Sequence, residues 1–170
     1  MTRPRITKSL KGMLGEVYYK ELCDQRGWAY CSLENIYNSK NNDILEFKKG
    51  FSRIKVKIPP EIQPEIKKIS TPSNNSPDNP SFVFDYLACK VGNYTDFSKV
   101  QNPREFCWAE VKTGEGIFSD NQFKVLQEIQ LSIAIFHIED VLDKPNFIEM
   151  DWDLMTGKEL ASELEEIEDF

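Results

Sequence analysis

Three ionisable residues stand inside apolar, strand-like runs of this 170-residue chain: Asp85 in FVFDYLACK, and Glu110 and Lys112 in FCWAEVKTG. A carboxylate taken out of water is costly unless it is paired or holds a metal, so these positions mark the chemistry first. Glu110 and Lys112 are two residues apart and share one face of an extended strand with Phe106 and Trp108. Apolar company of that kind argues for burial rather than a solvated edge. Asp85 lies in the preceding strand-like run, and pairing of the two runs brings one aspartate, one glutamate and one lysine together. Two carboxylates offer hard oxygens of the kind that hold Mg²⁺ or Mn²⁺. Such an ion makes water more nucleophilic and neutralises charge on a phosphoryl oxygen. The lysine orients that water or stabilises the charge that develops at phosphorus. The trio therefore points to hydrolysis of phosphodiester bonds. Asp43, in NNDILEF, competes with Asp85 as the first carboxylate, but its Asn-rich surroundings read as a loop.

Beyond the strand, Ser119 and Gln122 have the S-x-x-Q spacing of a capping box, in which the glutamine reaches back to the cap N–H. Together, Asp85, then Glu110-Val111-Lys112-Thr113-Gly114, then Ser119-Asp120-Asn121-Gln122 resemble the PD-(D/E)XK nuclease superfamily. Among its members the trailing glutamine is closest to that of virus-type replication-repair nucleases and archaeal junction resolvases. The residue before Asp85 is Phe84, where the family motif has proline. The resemblance covers about residues 8 to 138, apart from an inserted stretch. It implies a restriction-endonuclease-like αβββαβ core and a Mg²⁺- or Mn²⁺-dependent deoxyribonuclease. It implies Asp85 and Glu110 as metal ligands, the Val111 carbonyl as a third donor, and Lys112 as the catalytic lysine. It also implies that Gln122 positions substrate or water, and that Glu16, in L-G-E, is an acidic residue near the metal. Gln122 as a plain cap and Glu16 as a surface helix residue remain open beside those roles.

The elements that must position these residues are legible in outline. Residues 8 to 26 have the spacing of a helix with Leu10, Met13, Leu14, Val17 and Leu22 on one face, and Gly27 ends it. WAYCSL, residues 28 to 33, reads as a strand, and ENIYNSKNND as a polar loop. In RIKVKI the charges alternate with Ile54, Val56 and Ile58, as in a half-exposed strand. The stretch from 59 to 80 holds six prolines and reads as a loop. Residues 46 to 80 form the insertion. Ser81 to Val91 and Phe106 to Gly114 are apolar strands, a helix opens at about Ser119, and Leu131 to Ile138 is a buried strand. The mixture points to an α/β (mixed α+β) domain with a central mixed sheet over residues 1–138, followed by an acidic extension over 139–170 with a helix from about Gly157.

The net charge of −7 is unevenly spread. Residues 139–170 carry twelve acidic and two basic residues, so the rest of the chain is mildly basic. Arg3, Arg5, Lys8 and Lys11 form one basic cluster, and Lys48, Lys49, Arg53, Lys55, Lys57, Lys67 and Lys68 another. Lys8, Lys11, Arg53, Lys55 and Lys57 are the candidate phosphate contacts to DNA, and an ordinary solvated face is the other reading of each cluster. Four cysteines and one histidine, with no C-x-x-C, exclude the usual zinc arrangement. Cys89 and Cys107 read as small buried hydrophobes, and His137, Trp28, Tyr30, Phe82, Phe84 and Trp108 as core. No apolar run reaches the length of a membrane helix and no secretory h-region is present, so the expected setting is the cytoplasm. Cutting both strands of a duplex takes two active sites, which adds a homodimer to the expectations. Two rival readings fit the same residues. One is a nuclease-fold module that binds nucleic acid without cleaving it. The other is an interaction domain whose acidic tail docks a basic protein partner.

Overall fold

The computed structural model describes residues 8–41, 43–74, 78, 80–92, 96–113, 118–138, 147–148, 156, 158–159 and 162; the side chains of 8–11, 137–138 and 147–148 lie outside that description. Helix α1 (Lys8–Gln25) ends ahead of Gly27, whose φ of 76° is a left-handed turn that glycine adopts without strain, and the chain enters β1 (Trp28–Ser32). Ser32 caps a six-residue helix, α2 (Leu33–Asn38), by accepting from the Asn35 N–H at 3.2 Å. Strands β2 (Ile44–Lys49) and β3 (Ser52–Lys57) form a hairpin, followed by α3 (Gln63–Ile69). The order then runs β4 (Tyr86–Lys90), β5 (Phe106–Thr113), α4 (Asp120–Leu126), β6 (Ser132–Ile138) and the two-residue β7 (Phe147–Ile148).

These strands form one mixed sheet in the order β3-β2-β1-β4-β5-β6-β7. β1, β4 and β5 pair antiparallel, whereas β6 runs parallel to β5. A parallel neighbour needs a crossover, and α4 lies in it. The fold is therefore mixed α/β, as the element pattern implies. One face packs on α1, where Tyr19 and Cys23 meet Trp28, Tyr30, Tyr86 and Cys107. The opposite face packs on α2, α3 and α4, where Ile36, Ile66 and Leu126 meet Phe47, Leu87 and Trp108. All four cysteines are buried free thiols. No helix among the described residues is long and apolar enough to cross a membrane.

Several elements differ from the sequence expectation. Met13 and Val17 point outward on α1, and Leu14, Tyr19, Leu22 and Cys23 point in. The helix is rotated because the Tyr19 ring stacks on Tyr86 at 5.1 Å and meets Tyr30 edge-on, contacts that spacing alone does not weigh. The polar stretch after β1 contains α2, too short to show helical periodicity. The proline-rich stretch contains α3, because Pro64 sits in the first turn, where a missing N–H costs nothing. The hairpin starts at Ile44, ahead of residue 46, and joins the main sheet beside β1 through Tyr30 and Lys48. Residues 81–85 are not strand; β4 begins at Tyr86. Of the acidic extension, Lys158, Glu159 and Ser162 are helical. The remainder of that helix, like Arg3 and Arg5, lies outside the described residues.

Candidate active site

Phe106 and Trp108 enter the core on the face covered by α2, α3 and α4, and Glu110 continues along that face at 5% exposure. Asp85, the residue immediately before β4, is locked to β5 by its backbone and its side chain. Its N–H donates to the Ala109 carbonyl at 3.2 Å, and its Oδ2 accepts from the Val111 N–H at 2.8 Å. The carboxyl of Glu110 is held well above the usual carboxylate range. Burial is the larger cause, and the charge and hydrogen bonding of Asp85 add to it; Lys112 opposes them only in part.

Lys112 stands 3.6 Å from Glu110 Oε1 with its side chain mostly buried. Its Nζ donates to Gln122 Oε1 at 3.2 Å and sits 5.0 Å from the centre of the Phe118 ring. Gln122 is tied at both ends of its amide. Oε1 also accepts from the Ser119 N–H at 3.0 Å, and Nε2 donates to Glu110 Oε2 at 2.9 Å and to the Val83 carbonyl at 2.8 Å. The capping box is complete, with the Gln122 N–H donating to Ser119 Oγ at 3.1 Å. The two readings of Gln122 therefore coexist in geometry: the cap that starts α4 delivers an amide between Glu110 and Lys112.

Glu16 reaches the same region from α1. Its Oε1 accepts from the Tyr86 hydroxyl at 3.2 Å, and it shares with Gly12, Met13, Asp85, Val111 and Thr113 the lining of a cleft of about 290 Å³. Burial, with Glu16 next, keeps Tyr86 protonated far above the usual phenol range, so the hydroxyl is a fixed donor. Asp43, the rival first ligand, is exposed just ahead of β2, and β1 and β4 intervene between that strand and β5. The structure thus brings Asp85, Glu110, Lys112 and Gln122 together, with Glu16 at the cleft. It leaves Arg53, Lys55 and Lys57 on the hairpin, separated from β4 by β1. The side chains of Lys8 and Lys11 lie outside the described residues.

Two partners escaped the sequence reading. Phe118 carried no signal beyond its apolar character, and Tyr86 was hidden in an apolar run, although its place next to Asp85 puts it on the opposite sheet face, toward α1. Among the described residues no three His, Cys, Asp or Glu side chains are grouped to hold a metal. Asp85 and Glu110 are the two acidic side chains that converge there. No family model, curated protein or solved structure matches the chain.

Proposed function

We propose that the protein is a divalent-metal-dependent nuclease that hydrolyses phosphodiester bonds in DNA, with a PD-(D/E)XK centre. The observation that carries this reading is the convergence of Asp85 and Glu110 with Lys112 on β5, arranged around a carboxylate that burial and a like charge leave poorly satisfied. The order α1, β1, β4, β5, α4, β6 supports it, since this is the αβββαβ series the motif implies, with the hairpin and two short helices added after the first strand. The donor set fits Mg²⁺ or Mn²⁺. Two carboxylates and the Val111 carbonyl are hard oxygen donors, and a cation relieves the repulsion between Asp85 and Glu110. When bound, the ion acidifies water and neutralises charge on the phosphoryl oxygens.

The remaining roles belong to the chain. The Val111 N–H holds Asp85 in place through Oδ2. Gln122 holds Glu110 and Lys112 in fixed relation through one amide, so neither side chain must reorganise as charge develops. The Lys112 ammonium lies against Glu110 and Phe118, where reduced solvation strengthens its pull on the developing negative charge. Tyr86 fixes Glu16 at the cleft. The test is incubation with labelled linear, branched and single-stranded DNA with Mg²⁺ or Mn²⁺. Cleavage lost in Lys112→Ala and Asp85→Ala, with circular dichroism unchanged, supports the assignment; equal cleavage by both variants refutes it.

A second reading, a DNA-binding module without cleavage, draws on the grouping of two rather than three acidic side chains among the described residues. It expects salt-dependent DNA binding that EDTA leaves unchanged and no product with any metal.

A further inference from the structure

Two cavities larger than the Asp85 cleft, of about 490 and 700 Å³, adjoin each other: the larger lies between α1 and the β2–β3 hairpin, and the smaller continues from Lys20 and the hairpin across β1 to Asn35 of α2 and Tyr86 of β4. Lys20, Tyr30, Lys48 and Arg53 line both. The hairpin alternates strictly, so Leu45, Phe47, Ile54 and Val56 face the core while Ile44, Glu46, Lys48, Arg53, Lys55 and Lys57 face outward. That outward face carries four cations against one carboxylate, and Glu46 is engaged by Arg53 at 3.4 Å. The hairpin's apolar face joins the core under α2, α3 and α4, so its basic face lies on the side of α1. Helix α1 packs on β1 and β5, and the hairpin face stays open beside it. The result is a groove with α1 as one wall, basic hairpin residues as the other, and Tyr30 at its base with Lys20 5.8 Å from the ring centre. Two acids of α1 also line the second cavity; of these Asp24 is engaged by Lys49 at 3.3 Å.

The groove runs toward the candidate active site. Its first cavity includes Tyr86, whose hydroxyl donates to Glu16, and Glu16 lines the Asp85 cleft. β3 and β4 are three strand spacings apart in the sheet, a reach of about 14 Å. At the far end, Gly50 (φ 60°) turns the hairpin and Phe51 stands fully in solvent at the rim of the second cavity. A free phenyl ring beside a basic groove offers a stacking surface. The base faces inside a duplex are covered by their neighbours, so such a ring stacks on unpaired bases.

We infer that the groove between α1 and the hairpin binds an unpaired DNA strand, with Lys20, Lys48 and Arg53 at its phosphates and Phe51 stacked on a base. It thereby makes single-stranded or flapped DNA the substrate class. The binding stands on the groove alone; delivery of the strand to Asp85 and Glu110 rests on the nuclease reading. The experiment is fluorescence anisotropy in EDTA with a labelled oligothymidine of about 20 nucleotides and a blunt duplex of equal length, a span beyond the site size of a small single-strand binder. The single strand binds roughly tenfold tighter than the duplex, and Phe51→Ala removes roughly tenfold from single-strand affinity alone. Lys48→Glu and Arg53→Glu weaken single-strand binding and lower its salt dependence. Lys67→Glu, an equal charge change at an exposed residue of α3 on the other sheet face, leaves it unchanged. Equal affinity for duplex, an unaffected Phe51→Ala, or a Lys67→Glu loss equal to that of Lys48→Glu overturns the inference. With metal excluded, the two claims separate. Single-strand binding with no product in Mg²⁺ or Mn²⁺ refutes the nuclease reading alone, while cleavage indifferent to strand state and to Phe51 refutes the groove alone.

Discussion

Glu65 and Glu110 bring carboxylates to the same helix-covered face of the sheet, and their surroundings are opposite. Glu65 accepts from the Trp108 indole Nε1 at 3.1 Å and from the backbone N–H groups of Gln130 and Leu131. Three neutral donors converge on it, so it pins α3 to the core indole and to the entry of β6. Glu110 receives one amide donor and one ammonium, and it faces a second carboxylate. Dipoles solvate the first acid in place, whereas the second is pushed toward its neutral form. An inward-facing acid that is fully served by donors braces a fold. One set against a like charge suits a cation, and that contrast is what supports the proposed metal site.

The sharpest way to break the contrast is to remove its functional side. On the proposed reading, Lys112→Ala and Asp85→Ala each lower DNA cleavage by about a thousandfold while the circular dichroism spectrum stays native, since the first removes the cation that stabilises charge at phosphorus and the second removes a ligand of the metal. Glu65→Ala does the reverse. It costs about 2 kcal/mol in urea unfolding by leaving the Trp108, Gln130 and Leu131 donors without their acceptor. A fall in cleavage with no loss of stability would show Glu65 to be misassigned.

Glu110→Gln separates the two sides through pH. Glu110 titrates above its unfolded value, so in metal-free protein its contribution is fully present below about pH 4.5 and is lost as pH rises through the folded value. Wild-type stability measured in EDTA therefore falls across that range. Glu110→Gln flattens the fall and is the more stable protein at pH 8, by about 1 kcal/mol. Mn²⁺ raises the Tm of the wild type, most strongly at alkaline pH where Glu110 is ionised, and leaves that of Glu110→Gln unmoved. A wild-type profile as flat as that of the variant would remove the strain from the account.

The smallest effect on stability belongs to the hairpin. Lys55→Glu and Lys57→Glu change unfolding free energy by less than about 0.5 kcal/mol, because both side chains are in water. Their DNA affinity falls as phosphate contacts are lost. Unchanged affinity would end a role for these two lysines in DNA binding.

Local rules reached some of this and missed the rest for identifiable reasons. The E-V-K strand, the Ser119–Gln122 cap and the outward lysines of RIKVKI each depend on residues a few positions apart, and each takes the form its spacing implies. Glu65 gave no signal, because its partners Gln130 and Leu131 lie 65 and 66 residues away. The Tyr86–Glu16 hydrogen bond spans 70 residues and was equally out of reach. Short helices such as α2 and α3 hold too few turns for a periodic pattern, and their existence depends on a cap at Ser32 and on a proline tolerated in a first turn.

By itself, the sequence determined that Glu110 and Lys112 stand inside an apolar strand and share one face of it, because side chains alternate along a strand wherever it folds. It also placed Ser119 and Gln122 at the spacing of a capping box, with the role of the glutamine left open. Only the tertiary structure decided that Asp85 lies against Glu110, that α1 turns Tyr19 inward and leaves Val17 outside, and that the hairpin lies open beside that helix. Those outcomes depend on how separate elements bury one another's surfaces. Burial is a property of the assembled sheet and its helices, and no short window of residues contains it.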